Sequence, residues 1–163
     1  MKFKKYLKEV VTFVITLTIL ANIISYYKST NLNKNNLEIQ SFTLLDGTIY
    51  NIQQNKPLLI HFWATWCPIC KLEASNIETL SKQFEVITIA VDSPSSDELK
   101  AYLKEHQLSF KVIDDFDKKY ASQFNITVYP TTFIYDTNQN LLFSEVGYTS
   151  TLGLYMRMLW ASL

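Results

Sequence analysis

The chain contains only two cysteines, Cys67 and Cys70, and they lie three residues apart in "WCPIC". Cysteines at this spacing on a helix face the same side, so they can cycle between dithiol and disulfide with little backbone movement. A position at a helix N-terminus lowers the pKa of a thiol, which makes Cys67 the expected nucleophile. Pro68 fits the first helical turn, where its missing N–H costs nothing. Cys70 lies one turn deeper and is expected to resolve a mixed disulfide formed on Cys67.

Two other interpretations of the pair are weaker. An inert disulfide over so short a loop would remove chain entropy worth only about 1 to 2 kcal/mol. A structural zinc ion usually takes four ligands from two paired clusters, and the sequence offers only His61 and His106 beside the cysteines. We therefore expect a redox centre that uses neither a metal nor another cofactor.

The elements around the cysteines predict an α/β fold. "PLLIHFWA" is a continuous apolar run that suits a central strand buried on both faces, and a helix should run from Cys67 to about Gln83. Asp46 and Gly47 join two alternating runs and predict a hairpin before that strand. The predicted order is hairpin, β, α, β, α, β, α, β, β, α, which gives a mixed sheet with helices on both faces.

The N-terminal segment has the pattern of a membrane anchor. Four lysines precede the uncharged stretch 10–24, which is followed by Ser25, Tyr26 and Tyr27. We predict an anchor over 1–27, a flexible linker over 28–36 and one domain over 37–163. A cleaved signal peptide is disfavoured because the small residues of a cleavage site are missing. A buried helix of a soluble protein is disfavoured because the stretch has no polar face.

The lysines also predict topology and environment. Since positive residues stay in the cytoplasm, we expect a single-pass protein of the cytoplasmic membrane with its domain outside the cytoplasm. That compartment is oxidising, so a reducing cysteine pair there must be kept reduced by a donor. Fifteen basic residues balance fifteen acidic ones, so no net charge favours nucleic acid.

Three motifs resemble a known family: "FWATWCPIC", "VYPTTFIYD" and "SFTLLDGTIYNI". Together they are similar to the thioredoxin fold and to its membrane-anchored TlpA, ResA and DsbE-like branch, which includes ScsD-like proteins and an extra N-terminal hairpin. The likeness runs from Leu37 to the C-terminus. It implies that Pro130 is cis and faces the cysteines, that the Tyr129 backbone pairs with an extended peptide, and that Trp66 and Pro68 contribute to substrate binding.

Two further site residues follow from the resemblance. Glu73 matches an acidic residue that ResA-like proteins place near their cysteines, where it can transfer protons; the alternative is a solvated glutamate. His61 stands where thioredoxins carry a buried aspartate, on the same side of the strand as Trp63. It is either a proton acceptor for Cys70 or, as we favour, a hydrogen-bonded core histidine.

Two departures from the family pattern affect the helix and the thiol. Ser75 replaces a common helix proline, which puts a kink there in doubt. Ile69, between the cysteines, offers the thiolate no charge partner, and this favours a reducing role.

The predicted function is thiol–disulfide exchange with protein substrates outside the cytoplasm, as a reductase of the kind that serves cytochrome c maturation or copper and oxidative stress. A transmembrane thiol donor would re-reduce the pair. One alternative is a thiol peroxidase of the redoxin group, whose nucleophile normally follows a threonine by three residues, whereas Thr65 precedes Cys67 by two. Another is a non-enzymatic metal-binding or chaperone-like module.

Two clusters outside the motif are expected to be structural. Asp114, Asp115 and Asp117 suit a solvated turn that caps the following helix rather than a cation site. Packing rather than cofactor binding is expected of the C-terminal aromatic and methionine side chains, namely Tyr148, Tyr155, Met156, Met158 and Trp160.

Overall fold

The structure, a computed structural model, describes residues 2–93 and 95–163, so Met1 of the predicted anchor lies outside it. A long N-terminal helix precedes a small hairpin and a five-stranded sheet. In chain order the elements are α1 (Lys2–Ser29), β1 (Ser41–Thr43), β2 (Ile49–Asn51), β3 (Leu58–Trp63), α2 (Pro68–Ser81), β4 (Glu85–Val91), α3 (Ser96–Glu105), β5 (Lys111–Asp115), α4 (Lys119–Gln123), β6 (Thr131–Tyr135), β7 (Leu141–Val146) and α5 (Thr151–Ala161). The predicted order of elements is confirmed.

The five-stranded sheet has the order β5-β4-β3-β6-β7. β3, β4 and β5 are parallel, whereas β6 runs antiparallel to β3 and β7 antiparallel to β6. The sheet is therefore mixed, as predicted. Phe62 pairs with Thr131, and Thr131 pairs with Val146, so these three residues lie at the same end of their strands. We call this end of the sheet the cysteine end, because Cys67 follows β3 there. Tyr135 pairs with Leu141 at the opposite end of the sheet, which we call the turn end because β6 and β7 are joined there.

Every residue of β3 is buried, because apolar side chains pack on both faces of the sheet. Phe62 and Phe124 pack on one face with their ring centroids 5.1 Å apart, beside α4 and the β1–β2 hairpin. Leu59, Trp63 and Leu80 pack on the other face with α2, α3 and α5. The apolar run of β3 thus predicted a strand buried on both sides correctly.

Two polar side chains cap the helices that follow β4 and β5. The Ser95 hydroxyl accepts a hydrogen bond from the Glu98 amide at 3.2 Å. The Asp115 carboxylate accepts from the amides of Tyr120 and Ala121 at 2.9 and 2.8 Å. The capping role predicted for the aspartate cluster is therefore confirmed at Asp115. The prediction that the cluster is solvated is wrong for Asp115, which is buried because its carboxylate contacts the first turn of α4.

Among the described residues, one helix is long and apolar enough to cross a membrane: an 18-residue window within its 24-residue stretch Tyr6–Ser29 has a mean hydropathy of 1.9. α1 ends two residues beyond the predicted anchor. The segment that follows is packed on the domain, since Asn33 donates to the carbonyls of Gln123 and Phe124 and since Leu32 and Leu37 are buried. The predicted linker 28–36 therefore contacts the domain through Asn33 and through Leu32, a leucine in a polar segment that finds apolar contacts. Its flexibility stays a prediction.

The packing predicted for the C-terminal side chains is right in part. Met158 is buried, and Tyr155 packs edge-on against Phe84 with ring centroids 5.4 Å apart. The prediction is wrong for three side chains that are more than half exposed: Tyr148, Met156 and Trp160. Met156 and Trp160 are exposed because α5 turns Leu154, Met158 and Ala161 to the core instead.

Candidate active site

Cys67 occupies the N-cap position of α2, with extended backbone angles of φ −83° and ψ 114°. Its sulfur accepts a hydrogen bond from the Cys70 amide at 3.2 Å, and Pro68 follows at the start of the helix. The short turn from β3 therefore delivers Cys67 to the amino end of α2. There it meets unpaired N–H groups and the positive end of the helix dipole, which favour a negatively charged sulfur. α2 continues without interruption through Ser75.

The two cysteines form a disulfide, with Cα atoms 5.2 Å apart. Their exposed fractions are only 3% for Cys67 and 2% for Cys70. Both pack in the apolar cluster between the sheet and α2. The disulfide that the three-residue spacing allows is therefore present, and the structure represents the oxidised form of the pair.

The predicted substrate-binding residues lie together at the cysteine end. Trp66, directly before Cys67, packs edge-on against Tyr129 with ring centroids 5.7 Å apart. The peptide bond between Tyr129 and Pro130 is cis, as predicted. The Pro130 carbonyl accepts a hydrogen bond from the Gly147 amide at 2.8 Å, which ties this loop to the end of β7. Trp66 remains more than half exposed beside the disulfide and is available to a visiting polypeptide.

Glu73 is fully buried one helical turn after Cys70, so the two side chains share a face of α2. One carboxylate oxygen accepts a hydrogen bond from the Thr149 amide at 3.0 Å, and the other has no partner among the described residues. Burial raises the pKa of Glu73 to about 8, and the nearby Glu145 adds to the rise while the Thr149 amide opposes it. The solvated glutamate, which was the alternative in the sequence analysis, is therefore wrong, and the proton-transfer role of Glu73 stays a prediction.

His61 is also buried, on the same face of β3 as Trp63. Its Nδ1 lies 2.9 Å from the Thr132 hydroxyl, on the residue with which it pairs across the sheet. Burial lowers the pKa of His61 to about 3, so the imidazole is neutral at physiological pH. This is the geometry of the hydrogen-bonded core histidine that we favoured.

His61 should make the domain less stable in acid. Because its folded pKa lies below its unfolded value, the unfolded chain binds more protons as the pH falls below about 6.5. Between pH 6.5 and 4.5 we expect His61 to lower the free energy of unfolding by about 2 kcal/mol, and His61→Gln to remove that decline. Urea unfolding of both proteins at the two pH values measures it. An equal decline in the variant would mean that His61 does not cause it.

A hydrogen-bonded clamp that the sequence did not reveal holds the loop after β7. Asn76 of α2 donates to the Tyr148 hydroxyl at 3.2 Å and to the Thr149 carbonyl at 3.1 Å, and accepts from the Thr151 hydroxyl at 2.8 Å. The clamp fixes Thr149 where its amide meets Glu73. The contacts join residues more than seventy positions apart, so no local pattern indicates them.

No group of three or more His, Cys, Asp or Glu side chains within 2–93 and 95–163 is arranged to hold a metal ion. His106, a candidate ligand in the zinc interpretation, packs against Tyr102 with ring centroids 4.3 Å apart. The site combines a disulfide at a helix N-terminus, the buried Glu73, and the exposed Trp66 packed against the half-buried Tyr129. Such a site can carry out exchange between the internal disulfide and thiols of another molecule.

A family model described as "AhpC/TSA family" matches residues 29–144. A "Thioredoxin-like protein" of Haemophilus influenzae is 29% identical over 99% of this chain and 98% of its own length. "Thiol:disulfide interchange protein DsbE" of Pasteurella multocida is 33% identical over 58% of this chain, and the match spans about half, 53%, of that relative.

A solved structure shares the fold. The crystal structure of a thiol:disulfide interchange protein of the thioredoxin family from Chlorobium tepidum superposes with a TM-score of 0.69 at 22% identity, over 80% of this chain and 98% of that one. The predicted thioredoxin fold and the resemblance to its DsbE-like branch are confirmed.

Proposed function

Because the chain belongs to the AhpC/TSA family and places its two cysteines at the start of α2, we propose that it is a thiol–disulfide oxidoreductase of protein substrates outside the cytoplasm. The observation that carries the proposal is the Cys67–Cys70 disulfide at the helix N-terminus, beside the cis Tyr129–Pro130 peptide and the buried Glu73. The pair itself is the redox group, so the reaction needs no other cofactor.

In the reducing direction the Cys67 thiolate attacks one sulfur of a substrate disulfide. A mixed disulfide forms, and the other substrate sulfur leaves as a thiolate that takes up a proton. Cys70 then loses its proton and attacks the Cys67 sulfur, which releases the second substrate thiol. The substrate gains two electrons and two protons, and the Cys67–Cys70 pair becomes the disulfide.

Glu73 is the proposed proton acceptor for Cys70. A carboxyl group with a pKa of about 8 is matched to a thiol, whose ordinary pKa is about 8.5, so a proton can pass between them at little cost in free energy. An ordinary glutamate would hold the proton too weakly. We assign His61 no proton transfer, because its neutral ring is engaged with Thr132.

Substrate binding is assigned to the surface around the disulfide. The exposed Trp66 and its neighbour Tyr129 offer apolar contact, and the extended backbone before Pro130 can pair with an extended peptide. Pro68 holds the first turn of α2 beside them.

We further propose that α1 is a single membrane span with the N-terminal lysines in the cytoplasm. The domain then works in an oxidising compartment, and a thiol donor that crosses the membrane must return two electrons to the Cys67–Cys70 disulfide. The apolar Ile69 between the cysteines favours this reducing direction.

The decisive assay offers the reduced protein two oxidants, insulin and hydrogen peroxide. We expect rapid oxidation of the Cys67–Cys70 pair by insulin, with the insulin disulfides reduced, and slow oxidation by peroxide. Faster reaction with peroxide would favour the thiol peroxidase, whose threonine spacing this chain does not match. A binding or chaperone activity that survives oxidation of the Cys67–Cys70 pair but is lost with a chelator would favour a metal-binding module.

A further inference from the structure

The last turns of α1 lie against the edge strand β7 at the cysteine end. The Ser25 hydroxyl accepts a hydrogen bond from the Val146 amide at 2.9 Å and lies 3.4 Å from a Glu145 carboxylate oxygen. Val146 is paired with Thr131, the residue after the cis proline. Ser29, one turn further along α1, is buried. The helix is therefore seated on the domain beside the disulfide site.

The chain then runs along β7 toward the turn end. Asn36 donates to the Asn140 side chain at 2.9 Å, and the Leu37 amide to the Gln139 carbonyl at 3.1 Å. α1 thus runs antiparallel to β7, and its residues before Ser25 extend past the cysteine end. Thr18 and Ala21 accordingly line a cavity of about 670 Å³ together with the loop 147–150.

The length of α1 leaves no room for a spacer between the domain and a bilayer. The stretch from Tyr6 to Ala21 is only about 24 Å long at 1.5 Å per residue, and a hydrocarbon core is about 30 Å thick. A span must therefore use the turns that contact β7. This places the cysteine end, and not the turn end, next to the membrane.

Part of that end of the domain is an exposed apolar surface. We call it the apical patch, and it consists of exposed side chains from the start of α2 and from the segment that leads into α5: Trp66, Ile69, Leu72, Tyr148 and Leu152. Asn76 binds the Tyr148 hydroxyl, which brings the two parts of the patch together. Trp and Tyr are the residues that proteins place at the level of lipid headgroups.

We propose that the apical patch of the substrate-free protein rests in the interfacial layer of the bilayer that α1 spans, and that Trp66 exchanges lipid for substrate when a polypeptide binds. The inference rests on the proposed anchor and adds an orientation to it: the Cys67–Cys70 site opens along the membrane surface. Its partners are then protein thiols and disulfides held close to the bilayer, rather than those of freely diffusing proteins.

The three tryptophans allow a direct test in the full-length protein. Trp63 is buried, Trp66 is in the apical patch, and Trp160 lies near the C-terminal end of α5, toward the turn end. The reduced protein is placed in nanodiscs whose phospholipid carries bromine near the headgroup end of its acyl chains. We expect Trp160→Phe, which keeps Trp66, to lose much of its emission relative to unbrominated nanodiscs. Trp66→Phe, which keeps Trp160, should lose little.

A variant that releases α1 separates docking from anchoring. Ser25→Val with Ser29→Leu, in the Trp160→Phe background, keeps the span apolar but removes the hydrogen bond to Val146 and overfills a buried site. It should remain in nanodiscs and lose the quenching of Trp66. No quenching of Trp66 in the docked protein, or stronger quenching of Trp160, would overturn the proposal. A chain that fails to enter nanodiscs would overturn the proposed anchor, whereas thiol exchange in detergent tests the enzyme independently.

Discussion

Replacing Cys67 with serine is expected to slow the reduction of insulin disulfides by about a thousandfold or more. A serine hydroxyl at the N-cap of α2 stays un-ionised, so no nucleophile remains at the helix terminus. Cys70 cannot take over, because it lies one turn inside the helix, away from the unpaired N–H groups at the N-terminus of α2 that would stabilise its thiolate. Insulin turbidity with a dithiol reductant measures the loss.

Cys70→Ser is the matched control, because it keeps the nucleophile and removes only the resolving thiol. We expect it to attack one substrate and remain attached to it, which gives a stable adduct on Cys67 that mass spectrometry detects. Cys67→Ser should give no such adduct. Adducts on Cys70 in the Cys67→Ser protein would reverse the two assigned roles. Full activity in both variants would contradict the exchange mechanism itself.

The fold and the reactive pair were predictable because their signals are local. β3 is a continuous apolar run, the first hairpin has Asp46 and Gly47 at its turn, and α2 begins where a proline follows Cys67. Each pattern depends on residues close together in the chain. The cis bond at Pro130 was predicted from the motif that it forms with the cysteines.

The environment of the site was not predictable, because it depends on partners distant in sequence. Glu73 meets Thr149 across 76 positions, and His61 meets Thr132 across 71. The seating of α1 depends on Ser25 and Val146, which are 121 positions apart. Propensity and periodicity carry no information on such pairs, and a glutamate on a helix face is usually solvated. The burial of Glu73 therefore emerged only from the folded chain.

Glu73→Gln is expected to change how stability depends on pH. The folded pKa of Glu73 is raised, so the native state binds more protons than the unfolded state and stability falls as the pH rises from about 4.5 to about 8. Glutamine keeps the shape and stays neutral. We expect the variant to match the native protein at pH 4 and to exceed its free energy of unfolding by roughly 3 to 5 kcal/mol at pH 9. Urea titrations at both pH values measure the difference.

Glu78→Gln is the control on the same helix. Glu78 accepts hydrogen bonds from Ser109 and from the Phe110 amide, and these bonds with nearby Lys82 outweigh its burial and lower the pKa of Glu78. Its contribution has the opposite sign: it is present at neutral pH and lost as the pH falls. Glu78→Gln should therefore weaken the native state at neutral pH, where Glu73→Gln strengthens it. A stability difference for Glu73→Gln that does not change with pH would show that Glu73 titrates as an ordinary acid.

Thiol exchange separates a proton-transfer role of Glu73 from a merely structural one. If the carboxylate takes the proton of Cys70, glutamine should slow the resolution of the mixed disulfide by about a hundredfold, while the first attack by Cys67 stays nearly unchanged. Stopped-flow mixing with a peptide disulfide resolves the two steps, and the resolution rate of the native protein should rise through the pKa of Glu73. Glu78→Gln should leave both steps alone. Equal rates for Glu73→Gln and the native protein would leave Glu73 with no part in the exchange, and its burial would then only lower the stability of the domain as the pH rises above about 4.5.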